Sequence, residues 1–206
     1  MKCLSNLDRI NYPSDLVMDL TKLYRFKGKD FYYEDVLKAN LNGMINKTVE
    51  KDTFYASKLL NLDIKETRIK LLLRKDSQPK NKDEQIFVNL KNIFKLIQEK
   101  GDDIELTTNE FLHLAFRIYK DVKKVDYTSV IKRERINLLE ENKRYSKRED
   151  FEKELNLYNR LLRSEKVETT QLITNLYIDI LNLNIYNTSN EFLCLLVLYC
   201  LLFRER

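Results

Sequence analysis

The sequence predicts an all-α fold, a helical bundle around one central apolar helix, and three plain observations carry that prediction. Gly and Pro are scarce, 3 and 2 in 206 residues, which disfavours a β protein rich in tight turns. Apolar residues recur at three- and four-residue steps along several long segments, the spacing of one helix face. The final segment, Phe192 to Phe203, is apolar on every face, as a buried helix is. Hydrophobic residues make up 43% and charged residues 33%, a globular balance rather than a disordered one. A chain of this length can bury a sizeable core within one domain. A single helical domain over 1–206 is therefore expected, with an N-terminal helical section at 1–78 and a core at 79–206.

Taken in order, Ser14 ahead of Asp15-Leu16-Val17-Met18-Asp19-Leu20 reads as a helix start. The polar stretch from Asp76 to Lys82 holds Pro79, which cannot continue a helix and disfavours helical geometry at Gln78, so it is a linker. Asn81 then caps a helix whose Ile86, Leu90, Ile93, Phe94 and Ile97 form one apolar face ending near Gly101, with Asp83 and Glu84 placed to suit the helix dipole. Thr107 to Glu110 and Ser146 to Glu149 each fit a capping box. Further core faces are predicted at Leu112, Phe116 and Tyr119, at Leu155, Tyr158, Leu161 and Leu162, and at Leu172, Leu176, Ile180 and Leu183. The charged stretch from Lys132 to Asp150 is expected to form a solvent-facing helix pair broken near Tyr145 and Ser146. No repeat emerges, which disfavours a solenoid. The apolar run at Phe192 to Phe203 falls short of the roughly 18 to 20 residues a membrane span needs, so it is expected to be fully surrounded by other helices.

Three cysteines, Cys3, Cys194 and Cys200, match no zinc or CxxC spacing, and reduced thiols in a cytoplasmic protein are expected. Met1 to Tyr12 lacks the continuous apolar stretch of a secretory signal. The net charge of +5 is spread along the chain, the pattern of a mixed solvated surface. Lys27, Lys29, Tyr32 and Tyr33 interleave bases and aromatics as a nucleic-acid face does, yet the cluster is short and runs into Glu34 and Asp35. Asp102, Asp103 and Glu105 lack calcium-loop spacing and read as a polar loop. His113, between Leu112 and Leu114, has no nucleophile or metal partner spaced around it and reads as a half-buried structural histidine.

The stretch Ala56 to Leu73, then Pro79 to Glu84 with a helix containing Asn89, resembles the N-terminal region of the Fic family. Ser146 to Glu149, Leu172 to Ile180 and Asn184 to Phe192 look like that family's core up to its active-site loop, so the resemblance runs from about Gly28 onward. It implies a Fic-like helical bundle with a central apolar helix behind a nucleotide loop of the form His-Pro-Phe-x-x-Gly-Asn-Gly-Arg. In the family the His is the general base, an acidic position helps hold Mg²⁺, helix N–H groups and the Arg meet phosphate, and AMP passes to a protein side chain.

On this chain the His position is Asn184, the Pro Ile185 and the Phe Tyr186; the acidic position is Thr188, and the two Gly positions are Ser189 and Glu191. Asn190 alone is identical, while Phe192 and Leu195 stand where the family has Arg. An amide at Asn184 cannot act as a base near neutral pH. Glu191 puts a carboxylate where phosphate would sit, and Thr188 with Glu191 reads as an ordinary capping box. In the inhibitory helix, Leu60 replaces the Glu that would brake the family's Arg, with Asn61 beside it. The resemblance thus implies a degenerate Fic-like domain with no catalytic residues, cofactor or metal, whose role is protein binding, regulation or structure, with a protein partner or homo-oligomer and no membrane. ATP and Mg²⁺ enter only under the alternative of an active transferase with atypical residues, and a basic nucleic-acid-binding domain is the third reading. The family continues with further helices beyond this point, so a natural fragment or a truncated chain is also expected.

Overall fold

The computed structural model describes residues 2–9, 12–74, 77–122, 133–138 and 141–205. The fold is all-α. Its helices are α1 (Ser14–Lys27), α2 (Asp30–Leu37), α3 (Leu41–Leu59), α4 (Glu66–Arg74), α5 (Lys82–Lys100), α6 (Thr108–Ile118), α7 (Lys147–Ser164), α8 (Thr169–Leu183) and α9 (Asn190–Arg204). Short 3-10 turns stand at Leu4–Arg9, Lys38–Asn40 and Gly101–Asp103. α3 packs along α5, α5 meets α6, and α7, α8 and α9 pack in sequence order, with α9 also touching α5 and the turn at Gly101–Asp103.

The apolar stripes fold as their spacing requires. Ile86, Leu90, Ile93, Phe94 and Ile97 of α5 and Leu172, Leu176 and Ile180 of α8 are all buried in one cluster. Asn81 Oδ1 accepts from Glu84 N at 2.9 Å and Thr107 Oγ1 accepts from Glu110 N at 3.3 Å, each satisfying a helix N–H that has no intrahelical acceptor. At the first helix the reading shifts by one residue. Extended Pro13 is the cap, without a side-chain bond, and Ser14 is the first helical residue.

The charged stretch after Lys132 is not a helix pair. Arg133–Leu138 (β1) and Glu141–Ser146 (β2) form an antiparallel ribbon in which Arg133 faces Ser146 and Leu138 faces Glu141, and helix begins only at Lys147. This segment has few apolar residues, and Ile136 and Leu138 alternate with polar neighbours, a period of two. Lys132, Leu139 and Glu140 lie outside the described residues.

Two further features organise the fold. Between α4 and α5, Arg68 bonds Glu84 through Nε at 2.8 Å and a terminal nitrogen at 2.6 Å. The same guanidinium reaches Gln78 O at 3.0 Å, and Lys80 N donates to Glu84 at 2.8 Å, so one ion pair clamps the described part of the linker. Gly101, by contrast, is required for space and not for an unusual backbone angle. Its φ is −59°, but a Cβ there would lie 2.5 Å from the Phe203 ring.

The helix expected to be fully surrounded is not. Phe192, Leu193, Cys194, Leu196, Val197, Cys200 and Leu201 of α9 are buried, whereas Leu195 and Leu202, seven residues apart on one stripe, remain 36% and 44% exposed. Its neighbours α5 and α8 cover other faces of the helix and leave this one open.

Two outcomes test this architecture. Gly101→Ala should lower stability by about 1 to 3 kcal/mol in urea denaturation, and the loss should shrink in a Phe203→Leu background, where the clashing ring is gone. Hydrogen bonding from Arg68, opposed by burial and helped by the Lys80 N–H, holds the Glu84 carboxyl below its ordinary 4.5. A carboxyl lowered on folding contributes stability that is full above its unfolded value and is lost as pH falls through the folded one. Glu84→Gln should therefore melt earlier than the native chain at pH 7, with the two melting temperatures converging as pH falls below 4.5 through the folded value.

Candidate functional site

The segment that sequence analysis singles out, Asn184 to Phe192, is the corner between α8 and α9. Asn184 ends α8 in the left-handed region at φ 49°, ψ 58°, with its N–H bonded to Leu181 O at 3.1 Å; Asn tolerates that conformation better than most residues. Ile185 and Tyr186 then turn inward, 0% and 2% exposed. Asn187, Thr188 and Ser189 are exposed, and Ser189 is again left-handed at φ 51°. Its hydroxyl accepts from Tyr119 Oη at 2.9 Å, which ties the corner to the end of α6.

Asn190, the one residue identical to the Fic pattern, closes the corner internally. Its Oδ1 accepts from Tyr186 N at 3.0 Å and from the Cys194 thiol at 3.8 Å, while Nδ2 points to Leu181 O at 3.4 Å. The expected capping box of Thr188 and Glu191 does not form. α9 starts at Asn190 behind Ser189, which makes no side-chain cap bond, because its backbone is left-handed and its hydroxyl is engaged by Tyr119.

The chemistry at this corner follows from these placements. Asn184 and Glu191 are exposed, and Phe192 is 7% exposed, its ring turned into the core where the family has a cation. Burial, aided by Cys194 and Cys200, pushes the Tyr186 phenol well above its ordinary range. Its hydroxyl has no hydrogen-bond partner among the described residues. Between Asn184 and Phe192 the sequence has no imidazole and no cationic side chain, and packing and amide hydrogen bonds hold the corner.

The stretch matched to the inhibitory helix lies beside α9. Ala56 and Leu59, near the end of α3, share a cleft of about 130 Å³ with Phe192 and Leu195. Leu60 ends α3 and is half-buried against the core, and Asn61 beside it is exposed at φ 52°.

A larger cleft of about 780 Å³ lies between the 102–109 segment and α7. Asp102, Asp103, Glu105, Arg148, Arg163 and Arg204 line it with both signs of charge. Arg148 donates to Asn109 Oδ1 at 2.5 Å, Asn159 donates to Leu106 O at 3.0 Å, and Arg204 donates to Ile104 O. These bonds hold the loop ahead of α6 against α7 and the end of α9, which makes the cleft a polar joint.

His113 is exposed on α6 and not half-buried as expected, since the apolar face of that helix runs through Phe111, Leu112, Leu114, Ala115 and Ile118. Lys27 approaches Glu205 at 3.9 Å, and Tyr33 lines an apolar cleft beside α9. Cys194 and Cys200 are buried thiols and Cys3 is half-buried.

Sequence reasoning missed two polar devices. Glu168 caps α8 by accepting from Thr170 N at 2.8 Å and Gln171 N at 2.7 Å, and Tyr24 Oη of α1 donates to it at 2.6 Å. Although burial opposes its charge, the bonds from Tyr24 and these amides bring its pKa below the ordinary value. At the other end of the chain, Cys3 N and Leu4 N donate to Asp179 at 2.7 and 2.9 Å, and Lys2 Nζ reaches Glu154 at 2.5 Å. The signal was present, because Asp179 and Glu154 interrupt apolar helix faces, and a buried carboxylate needs donors.

No protein-family model matches the chain, and no curated protein is found to be similar to it. Among the described residues no helix is long and apolar enough to cross a membrane, and no group of three or more His, Cys, Asp or Glu side chains is placed to hold a metal ion.

The corner predicts its own mutational pattern. Asn190→Ala should cost about 1 to 3 kcal/mol by stranding the Tyr186 N–H, read from chemical denaturation, and Asn190→Asp should cost less because the acceptor survives. Tyr186→Phe removes an unpartnered buried hydroxyl and should leave stability unchanged or raised.

Proposed function

We propose that the chain is a degenerate Fic-like helical domain without nucleotidyl-transferase activity, kept for protein binding. One observation carries the reading. The segment resembling the family's brake and the helix resembling its motif helix are neighbours in space, meeting at Ala56, Leu59, Phe192 and Leu195. The residues in the positions of the brake and the phosphate-binding cation are Leu60, which follows Leu59 as the C-cap of α3, and Phe192, and both are apolar. Apolar side chains stand where the family has an ion pair, and a nucleotide phosphate would lack the cation it needs.

The closed corner supports the same reading. A phosphate site at a helix start uses free backbone N–H groups and small residues that let an anion approach. Here Ser189 precedes the helix, Asn190 commits its side chain to the corner itself, and Glu191 adds a negative charge to the first turn. Those features repel a triphosphate.

Millimolar ATP with Mg²⁺ should leave the melting temperature of the chain unchanged, whereas a nucleotide at a hundred times its Kd would add about 2.7 kcal/mol of stability. Incubation with ATP labelled at the α-phosphate should leave both the chain and added proteins unlabelled. Clear AMP transfer would overturn the proposal.

A further inference from the structure

We propose that the groove between α3 and α4 holds an acidic amphipathic helix of a partner protein, a reading that rests on the protein-binding role above and names the chemistry of the partner. The groove has a volume of about 420 Å³ and runs along α3 from Met44 to Tyr55, with Leu73 of α4 as its opposite wall. That span of α3 rises about 16 Å, the length of about three turns of an incoming helix. Phe54 and Leu73 are half-buried at its base against Ile69, Leu72 and Phe87. Met44 and Tyr55, 40% and 65% exposed, stand toward its two ends. α3 packs on the rest of the chain through a different face, Val49, Thr53 and Ala56, so the groove face is the one left open.

Charge selects an acidic partner. Lys47 and Lys51 line the groove one helical turn apart, and neither has an ion pair or hydrogen bond among the described residues. Lys58 lies over the Phe54 ring, 5.4 Å from its centre. Against these lysines the groove is lined by one carboxylate, Glu50, which pairs with neither Lys47 nor Lys51. Asp52 accepts from Tyr199 Oη of α9 at 2.6 Å and is committed there. Acidic side chains flanking an apolar stripe would meet this positive surplus while the stripe enters over Phe54 and Leu73. The walls select a helix. Both are helices that bond their mid-helix backbone groups internally, so the groove offers no strand edge, and an occupant has to satisfy its own backbone as a helix does. A lipid surface takes a projecting apolar face, whereas here the apolar base is recessed beneath exposed lysines. One short groove is small beside a standard interface of about 1,600 Å², and the complex is accordingly weak, with a Kd on the order of micromolar or above.

The test uses the full chain and two synthetic peptides of about 18 residues, long enough to form helix, each with leucine along one face. Glutamate flanks the leucines in one peptide and lysine in the other. Fluorescence anisotropy reads binding, and circular dichroism establishes that each variant is folded. The glutamate peptide should bind at least about tenfold more tightly than the lysine peptide, and added salt should narrow the difference. Lys47→Glu combined with Lys51→Glu should reverse the preference, whereas Lys153→Glu combined with Lys166→Glu, the same change of charge on α7 and just beyond it, should leave it in place. Tyr55→Ala should weaken the glutamate peptide. A glutamate peptide that binds no better than its lysine twin, a preference shifted as far by the α7 variant as by the groove variant, or an affinity unmoved by Tyr55→Ala would each overturn the proposal. Binding to phosphatidylserine vesicles in place of the peptide, lost with Lys47 and Lys51, would overturn it in favour of a lipid surface. AMP transfer by the same samples reports separately on the loss of catalysis, so the two readings fail by different measurements.

Discussion

The removal of α9 from water is the constraint around which the molecule is arranged. Its fifteen residues, Asn190–Arg204, carry almost no polar side chains in the middle, and an exposed apolar cylinder of that size is strongly unfavourable. α8 and α5 cover it along two sides, and the turn at Gly101–Asp103 seals its end, where Gly101 makes room for Phe203. Tyr199 shows how a polar atom is admitted at this junction. Its hydroxyl donates to Asp52 of α3 at 2.6 Å and accepts from Gln98 of α5 at 2.9 Å, and its ring meets Phe94 edge-on at 5.3 Å. One side chain of α9 thereby fixes the position of two other helices.

The corner that leads into α9 obeys the same demand. Two left-handed residues, Asn184 and Ser189, let the chain reverse in a few positions. Tyr186 enters the core beside Phe151, their ring centres 6.3 Å apart, and Asn190 closes the backbone behind it. Each of these contacts stabilises the turn with a group of the corner itself.

Carboxylates settle the edges of the bundle. Asp179 and Glu154 receive the N-terminal residues on α8 and α7, Glu168 joins α1 to α8, and Glu84 with Arg68 joins α4 to α5. In each case an acid close to the core is met by backbone N–H groups or a basic or phenolic side chain, which offsets the cost of taking its charge out of water. α1 is the exception in the scheme. It is attached through Tyr24 and Lys27 to two glutamates, yet its apolar residues find no full cover within the chain.

Local chemistry by itself determined the helical class, the break at Pro79, the caps at Asn81 and Thr107, and the buried faces of α5 and α8, because each depends on residues a few positions apart. It also determined that Asn184 and Phe192 cannot do what a base and a cation do, since that follows from the side chains alone. The ribbon at Arg133–Leu138 and Glu141–Ser146 was hidden by charged residues that suit helix and strand alike, and pairing between strands decided it. The open stripe of Leu195 and Leu202, the exposure of His113 and the cap made by Glu168 were likewise decided by tertiary structure. Periodicity says which residues prefer to leave water, whereas only the arrangement of neighbouring helices settles which of them are covered.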